Sequence, residues 1–315
     1  MKKLRRPISF APFLLIILTF ASNFLVICTF ENSIEVTVYF FDVGQGDSIF
    51  IDTNSEDVLI DGGTRGAGST VMAYLNELNI SHIDIVVATH PDADHIGGLI
   101  TVLDSSITVD MVLFNGQEKE TKTYEDFISL AQDKVTLANR SQVYVLDLNV
   151  NLTVLNPTQP LEFSDENSNS IVLKLQVGTV SFLFTGDATF KTEESMINAG
   201  LNLKSQVLKV SHHGSKNATS NEFLDVVNAT YAVISAGKNN PYGHPHEETM
   251  QRLLNHNITV YGTFASGTII MSTDGQTIEV HGNPEPIPEF SSTITLALTL
   301  VLTALFCFTR KLGLT

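Results

Sequence analysis

The sequence is short of cysteine and of positive charge, and each shortage restricts what the chain can be. It has two cysteines in 315 residues. Both, Cys28 and Cys307, fall inside the uncharged apolar stretches 7–30 and 291–309. The segment between those stretches therefore has no disulfide framework and no thiolate with which to hold a metal ion. A cation bound there must take imidazole and carboxylate ligands. Basic residues number 18 against 34 acidic ones. Residues 31–290 keep only 12 of the basic residues and all 34 of the acidic ones, a net charge of −22. So acidic a surface repels phosphate backbones and excludes a broad electrostatic grip on duplex DNA. A centre that holds cations and accepts a single phosphate is not excluded. No internal repeat and no low-complexity tract is present.

The two ends read as addresses. Lys2, Lys3, Arg5 and Arg6 precede the first apolar stretch, the charge order of a secretory signal or an uncleaved anchor. No clear small-x-small cleavage site follows, and Ile27 precedes Cys28 where a lipoprotein signal would have a small residue. Residues 1–30 are therefore expected to be a signal peptide or signal anchor. Pro284, Pro286 and Pro288 make 283–290 a stiff linker, and 291–315, closed by Arg310 and Lys311, a C-terminal transmembrane or sorting segment. Positive charge stays cytoplasmic, so both tips are expected inside and the main domain, 31–282, in an extracytoplasmic position. The string Pro288-Glu289-Phe290 with its apolar helix and Arg310-Lys311 also resembles the PEF-type sorting signal of archaeal surface proteins. That resemblance implies a tail that is cut and replaced by another anchor.

In the middle, hydrophobic periodicity predicts a layered α/β domain. Strands are expected at 36–43, 48–51, 58–60, 83–88, 109–114, 143–146, 152–155, 171–177, 180–184, 206–210, 231–235, 258–261, 268–272 and 277–280. Helices are expected at 70–78, 96–103, 192–199, 222–227 and 247–255. Ile83–Ala88 is a continuous apolar run, the pattern of a strand buried on both faces.

Polar clusters recur where buried strands stop: His90-Pro91-Asp92-Ala93-Asp94-His95, Thr185-Gly186-Asp187 and Ser211-His212-His213-Gly214. Loops at strand ends converge side chains without disturbing the core. His90, Asp92, Asp94, His95, Asp187, His212 and His213 are the candidate metal ligands, a mixed nitrogen and oxygen set that suits Zn, Mn or Fe better than Mg or Ca. A carboxylate such as Asp187 can bridge two cations. The bland alternative is a solvated loop in which Asp94 caps the following helix. His82, His256 and His281 are isolated and read as surface or core residues.

Asp61-Gly62-Gly63, the His90 to His95 cluster, Phe184-Thr185-Gly186-Asp187 and the late His212 follow the order of the metallo-β-lactamase superfamily motifs. Asp42-Val43-Gly44-Gln45-Gly46-Asp47-Ser48, Ser211-His212-His213-Gly214-Ser215 and Asn240-Pro241-Tyr242-Gly243-His244-Pro245 resemble, more narrowly, the extracellular hydrolase domain of ComEC-type DNA-uptake proteins. The resemblance covers about residues 34–281. It implies the four-layer αββα sandwich and two divalent metal ions, Zn or Mn. His90 and Asp92 would hold the first ion, Asp94 and His95 the second, with Asp187 between them. His212 or His213 would complete the second site, and the sequence leaves open which. Asp61, Asp47, Asn169 and Ser170 would stand behind the ligands or face the substrate. Asp94, Asp187 and His244 would carry catalysis, His244 donating to a substrate phosphate or acting as general acid. Two departures stand out: Asp92 replaces a second histidine, as in the ComEC-like branch, and Asn167-Ser168-Asn169-Ser170 occupies the region of the superfamily's middle histidine. The first site is thereby weakened.

The expected activity is a membrane-tethered metal-dependent hydrolase, a phosphodiesterase or nuclease using a metal-activated hydroxide. Single-stranded nucleic acid is the substrate the resemblance implies. Only Lys204, Lys209, Lys216 and Lys238 lie near the motif loops, so a small cell-envelope phosphoester suits the charge better. A non-catalytic surface-anchored binding module is the rival reading. DNA-uptake proteins form a channel from many membrane helices and this chain has at most two apolar stretches, so an uptake role would need a channel partner.

Overall fold

The computed structural model describes residues 34–287. The expected signal or anchor at 1–30 and the expected sorting segment at 291–315 lie outside the described residues. Among the described residues no helix is long and apolar enough to cross a membrane.

The chain builds one sheet, then a second, then returns to the first. β1 (Val36–Phe40), β2 (Ile49–Asp52) and β3 (Val58–Ile60) form an antiparallel meander. α1 (Gly68–Glu77) crosses to β4 (His82–Ala88), which lies parallel to β3. Two short helices, α2 (Ala93–Ile96) and α3 (Leu99–Leu103), lead to β5 (Thr108–Phe114), and α4 (Lys122–Ala131) leads to β6 (Val135–Leu137), both parallel additions.

The second sheet opens with the antiparallel run β7 (Val143–Asp147), β8 (Val150–Asn156), β9 (Val172–Val177) and β10 (Val180–Phe184). It continues in parallel through α5 (Phe190–Asn198), β11 (Val207–Lys209), α6 (Asn221–Val227), β12 (Tyr231–Ile234), α7 (Glu247–Asn255) and β13 (Thr259–Gly262). After α8 (Thr263–Ser266), β14 (Ile269–Thr273) pairs with β1, and β15 (Ile278–His281) pairs with β14. The finished orders are β15-β14-β1-β2-β3-β4-β5-β6 and β13-β12-β11-β10-β9-β8-β7.

The sheets pack face to face through buried apolar residues, Val38, Phe40 and Val87 from the first against Leu173, Phe182 and Val233 from the second. The rings of Phe40 and Phe184 lie 6.2 Å apart across the interface. α1, α3 and α4 cover the outer face of the first sheet with Leu75, Leu99 and Phe127. α5, α6 and α7 cover the second with Met196, Phe223 and Leu253. β4 is thus buried on both faces, which is why its apolar run does not alternate. Each such side chain contributes about 1.5–3 kcal/mol by leaving water.

Every expected strand is present within a few residues. Three elements went unanticipated: α4, β6 and α8. The single helix expected over 96–103 is two, and the reason is a close approach. Gly97-Gly98 runs against the Asp61-Gly62-Gly63 turn, where a Cβ on Gly98 would lie 1.9 Å from the Gly62 carbonyl oxygen. Only glycine fits, and the backbones lock through Gly62 N–H donating to His95 O at 2.8 Å and Gly98 N–H to Gly63 O at 3.0 Å. The Pro-rich stretch does not leave the domain at once, since Ile287 N–H donates to Val260 O at 2.8 Å.

Candidate metal centre

The polar clusters meet because the strands that carry them end on one edge. β3 delivers Asp61, β4 delivers Thr89 and His90, β10 delivers Asp187, and β11 delivers His212 and His213. Backbone bonds hold the loops in register: Ile171 N–H donates to Thr89 O, and His212 N–H to Gly186 O, each at 2.9 Å. His212 and His213 both have positive φ, 51° and 54°, and neither is glycine. Such backbone costs about 1–3 kcal/mol per residue and persists only where the surroundings enforce it.

Asp187 is the hub. Its Oδ1 lies 3.3 Å from His95 Nε2 and 3.5 Å from His213 Nε2. Its Oδ2 lies 3.5 Å from His212 Nε2 and 3.9 Å from His90 Nε2. Asp94 Oδ2 is 3.5 Å from His213 Nε2. About 3.3 Å is the separation two ligands take around a tetrahedral cation with bonds of about 2 Å. The Nε2 atoms of His90, His95 and His213 and Oδ1 of Asp187 are all buried without a hydrogen-bond partner. Unpaired buried polar atoms are costly, and those gathered around the two oxygens of Asp187 fit cations. Three-residue groups with donor atoms within 4.8 Å of one another include His90–His95–Asp187 and Asp94–His95–His213.

A second ring of residues aims these donors. Asp61 takes the Thr89 N–H at 2.9 Å, the Thr89 hydroxyl at 2.7 Å and His95 Nδ1 at 2.7 Å. With its proton given to Asp61, Thr89 Oγ1 accepts from His90 Nδ1 at 3.0 Å. His213 Nδ1 donates to Ser235 O at 3.0 Å and lies 3.2 Å from Asp47 Oδ1. All three imidazoles therefore keep their protons on Nδ1 and turn Nε2 toward Asp187. A carboxylate behind a ligating imidazole raises its basicity and fixes its orientation.

The charges respond to this crowding. Burial would lower His95, but the Asp187 and Asp61 carboxylates outweigh it and raise it well above the usual imidazole range. Burial is likewise outweighed at His213, which Asp187 and Asp47 raise to about 10. Asp187 goes the other way: burial is overcome by the imidazoles of His213, His95 and His212, and its carboxyl is held well below the usual range. At Asp94, too, burial is outweighed, by His213 and His95, and the carboxyl is lowered. Burial, and then His95, lowers His90, leaving it neutral. Protons and a cation thus compete for the same nitrogens at His95 and His213.

The profile of the family described as the Metallo-beta-lactamase superfamily matches residues 41–238, a span that contains every donor named above. The chain belongs to the metallo-beta-lactamase superfamily. Its relatives are the ComEC-type competence proteins that the motifs resemble. It is 34% identical over 256 residues to ComE operon protein 3 of Bacillus subtilis (strain 168), covering 75% of this chain and 33% of that protein. Competence protein ComA of Neisseria gonorrhoeae is 34% identical over 241 residues, 76% of this chain and 32% of its own length. Recombination protein 2 of Haemophilus influenzae is 31% identical, with 72% and 28% covered. The chain spans about a third of the length of these curated relatives. Among solved structures, the metallo-beta-lactamase fold protein YhfI of Bacillus subtilis matches with a TM-score of 0.50 at 11% identity, covering 76% of this chain and 100% of that one, a likeness of fold.

Within this superfamily centre the remaining expected residues take distinct places. Asp92 sits at the cap position of α2 without capping it, and neither does Asp94. Asp92 Oδ2 is 3.8 Å from His90 Nε2, while Oδ1 is 2.5 Å from Lys119 Nζ. Between the two candidate histidines, His213 is the one in the convergent groups, and His212 faces Asp187 with its ring a quarter exposed. The Ser170 hydroxyl accepts the Asp187 N–H at 3.2 Å. The Asn169 side chain is spent inside its surroundings, donating to Gln117 Oε1 at 2.8 Å and Phe163 O at 2.7 Å and accepting from Phe163 N–H. His244 lies at the rim, edge-on to the His212 ring at 5.7 Å and tilted against that of His213 at 6.1 Å. Burial and the three imidazoles of His213, His212 and His246 lower it to about 4.

Two expectations need correction. Lys209 does lie beside the histidine loop but can take no part in a basic track: it is wholly buried and its Nζ meets Asp47 Oδ2 at 2.8 Å and Val210 O at 3.1 Å. Lys204 is exposed but precedes β11, at the opposite end of that strand from the histidines. His82, His256 and His281 stand apart from the centre as expected, partly exposed, each with a local partner: His82 Nε2 lies 3.1 Å from Asp84 Oδ1 and 3.2 Å from Asp110 Oδ2, His256 pairs with Asp225 at 3.2 Å, and His281 Nε2 lies 2.6 Å from Ser272 Oγ. Sequence reasoning also missed Thr89 and Lys119. Thr89 adjoins His90 and could have been suspected, whereas Lys119, between Glu118 and Glu120, carries no local signal.

Proposed function

We propose that this chain is a metal-dependent phosphodiesterase acting in an extracytoplasmic position, tethered through its apolar ends. The observation that carries the reading is the convergence of the unpartnered Nε2 atoms of His90, His95 and His213 on Asp187. Asp94, His95, His213 and Asp187 would hold one divalent ion, and His90 with the other oxygen of Asp187 a second. Such ions supply Lewis acidity toward a phosphoryl oxygen and bring the pKa of water toward neutrality.

The chain's own residues do the positioning. Asp61, Asp47 and Thr89 keep the three imidazoles in the ligating tautomer, and Ser170 fixes the Asp187 backbone. His244, held neutral at physiological pH, offers one N–H to a substrate phosphate rather than a charged acid. The names of the relatives tie them to competence and recombination, which favours single-stranded nucleic acid as substrate and a separate channel partner. The burial of Lys209 favours a second substrate, a small phosphoester of the cell envelope, because Lys119, Lys216 and Lys238 make no long track.

The test is elemental analysis of the purified protein together with turnover of bis-p-nitrophenyl phosphate in added Mn or Zn. Bound metal, and turnover that falls about a thousandfold in Asp187→Asn, is the expected result. Absence of both metal and turnover under every cation overturns the reading and leaves a binding module.

A further inference from the structure

The carboxylates around the centre do not share one kind of neighbour. Asp94 and Asp187 face imidazoles. Asp92 alone of the three faces an ammonium, with its Oδ1 2.5 Å from Lys119 Nζ. Lys119 Nζ is also 3.5 Å from Glu166 Oε1. The other oxygen of Asp92 points the opposite way, 3.8 Å from His90 Nε2. Asp92 belongs to none of the convergent donor groups among the described residues. One carboxylate is therefore divided between a lysine and the first cation position.

The lysine is placed there by the fold. It stands on the loop between β5 and α4, and that loop is pinned to the segment around Asn169. Asn115 Nδ2 donates to Asn169 O at 3.1 Å, and Asn169 Nδ2 to Gln117 Oε1 at 2.8 Å. Asn169 thus acts as the brace of the loop that presents Lys119. Lys119, Asp92 and Glu166 are 28%, 29% and 36% exposed in their side chains, so the ammonium can change partners without unfolding anything. Asp187 is 5% exposed and has no such freedom.

We propose that Lys119 controls occupancy of the first cation position by holding Asp92 in an ion pair that an incoming cation must share or break. The inference rests on the cation-dependent reading above and gives that site a regulating residue. An ammonium paired to Asp92 both neutralises the carboxylate and repels a cation placed between Asp92 and His90. The second position, formed by Asp94, His95 and His213 with Asp187, has no lysine at its donor atoms among the described residues and fills first. An anionic phosphodiester offers Lys119 a new partner and returns Asp92 to the first position. The substrate's charge and the second equivalent of metal are then linked, each favouring the other.

The test titrates Mn(II) into the metal-stripped full chain, following free Mn(II) by electron paramagnetic resonance, for wild type, Lys119→Met and Lys119→Arg. The expected result is one tight and one weak equivalent in wild type, with the weak one strengthened about tenfold in Lys119→Met. Lys119→Arg retains the charge and should behave as wild type. Unchanged affinity of the second equivalent in Lys119→Met overturns the assignment, as does equal weakening of both equivalents. Two cations bound identically by all three proteins overturns the assignment alone, leaving the hydrolase reading standing. No cation bound by any of them overturns both.

Discussion

The two halves of the centre are built to different standards. Around the second cation position, each imidazole has a carboxylate behind it, Asp61 for His95 and Asp47 for His213, and both histidines are buried. Around the first, His90 is steadied by a hydroxyl, Asp92 is pulled outward by Lys119, and His212 reaches Asp187 from a partly exposed ring. On the proposed assignment the second position is pre-organised, and the first has looser supports. Affinity at a metal site depends as much on what holds the ligands as on which ligands they are.

Removing the shared carboxylate erases the difference, so Asp187→Asn carries the largest effect, the thousandfold loss of turnover described above. His213→Ala against His90→Ala is the direct comparison. The first should abolish tight uptake of metal, while the second should leave one tight equivalent, measured by equilibrium dialysis. Asp47→Asn leaves every donor in place and should weaken the tight equivalent about 10–100-fold. An unchanged affinity would show that Ser235 O alone orients His213.

Protons report the same asymmetry. His213 is raised to about 10 and His95 well above its usual range, so both are protonated at pH 7 in the metal-free protein, whereas His90 is lowered and neutral. Filling the second position should release about two protons and filling the first should release none. Calorimetry in buffers of different ionisation enthalpy counts them, and affinity at the second position should fall as pH falls. The sign for stability is opposite. With a folded pKa of about 10 above an unfolded value of about 6.5, His213 stabilises the metal-free fold fully below about pH 6.5. That contribution is lost as pH rises toward 10, which thermal melts of the stripped protein will show. The smallest expected effect is that of Thr89→Val. It removes one buried bond to Asp61 and one to His90, costing about 1–3 kcal/mol of stability and loosening the first position more than the second, whose His95 keeps its direct bond to Asp61.

What was legible in the sequence follows from range. β4 and the polar ends of β4, β10 and β11 were plain, because a strand buried on both faces leaves an unbroken apolar run and its chemistry must wait for the loop. α4 was legible in principle: Thr121 accepts the Tyr124 N–H as a cap, and Tyr124, Phe127, Ile128 and Ala131 keep helical spacing. The break between α2 and α3 was not, since it answers to a backbone 35 residues earlier in the chain (Gly98 against Gly63). Lys209 and Asp47 are 162 residues apart, and nothing local says that a strand lysine turns inward to meet a loop carboxylate. The choice of His213 over His212 likewise depends on Ser235 and Asp47, two distant partners.

The second position draws Asp94 and His95 from a loop of the first sheet and Asp187 and His213 from loops of the second, with Lys209 of β11 bolting Asp47 across the same seam. Each sheet alone carries only half of this ligand set, so the half-folded chain has no complete site with which to select a metal. A cation held by this set would therefore be chosen late, when the two halves close, and from whatever the surrounding fluid then offers. If the chain closes outside the cytoplasm, as proposed above, its metal would record the place where it closed and not the place where it was made.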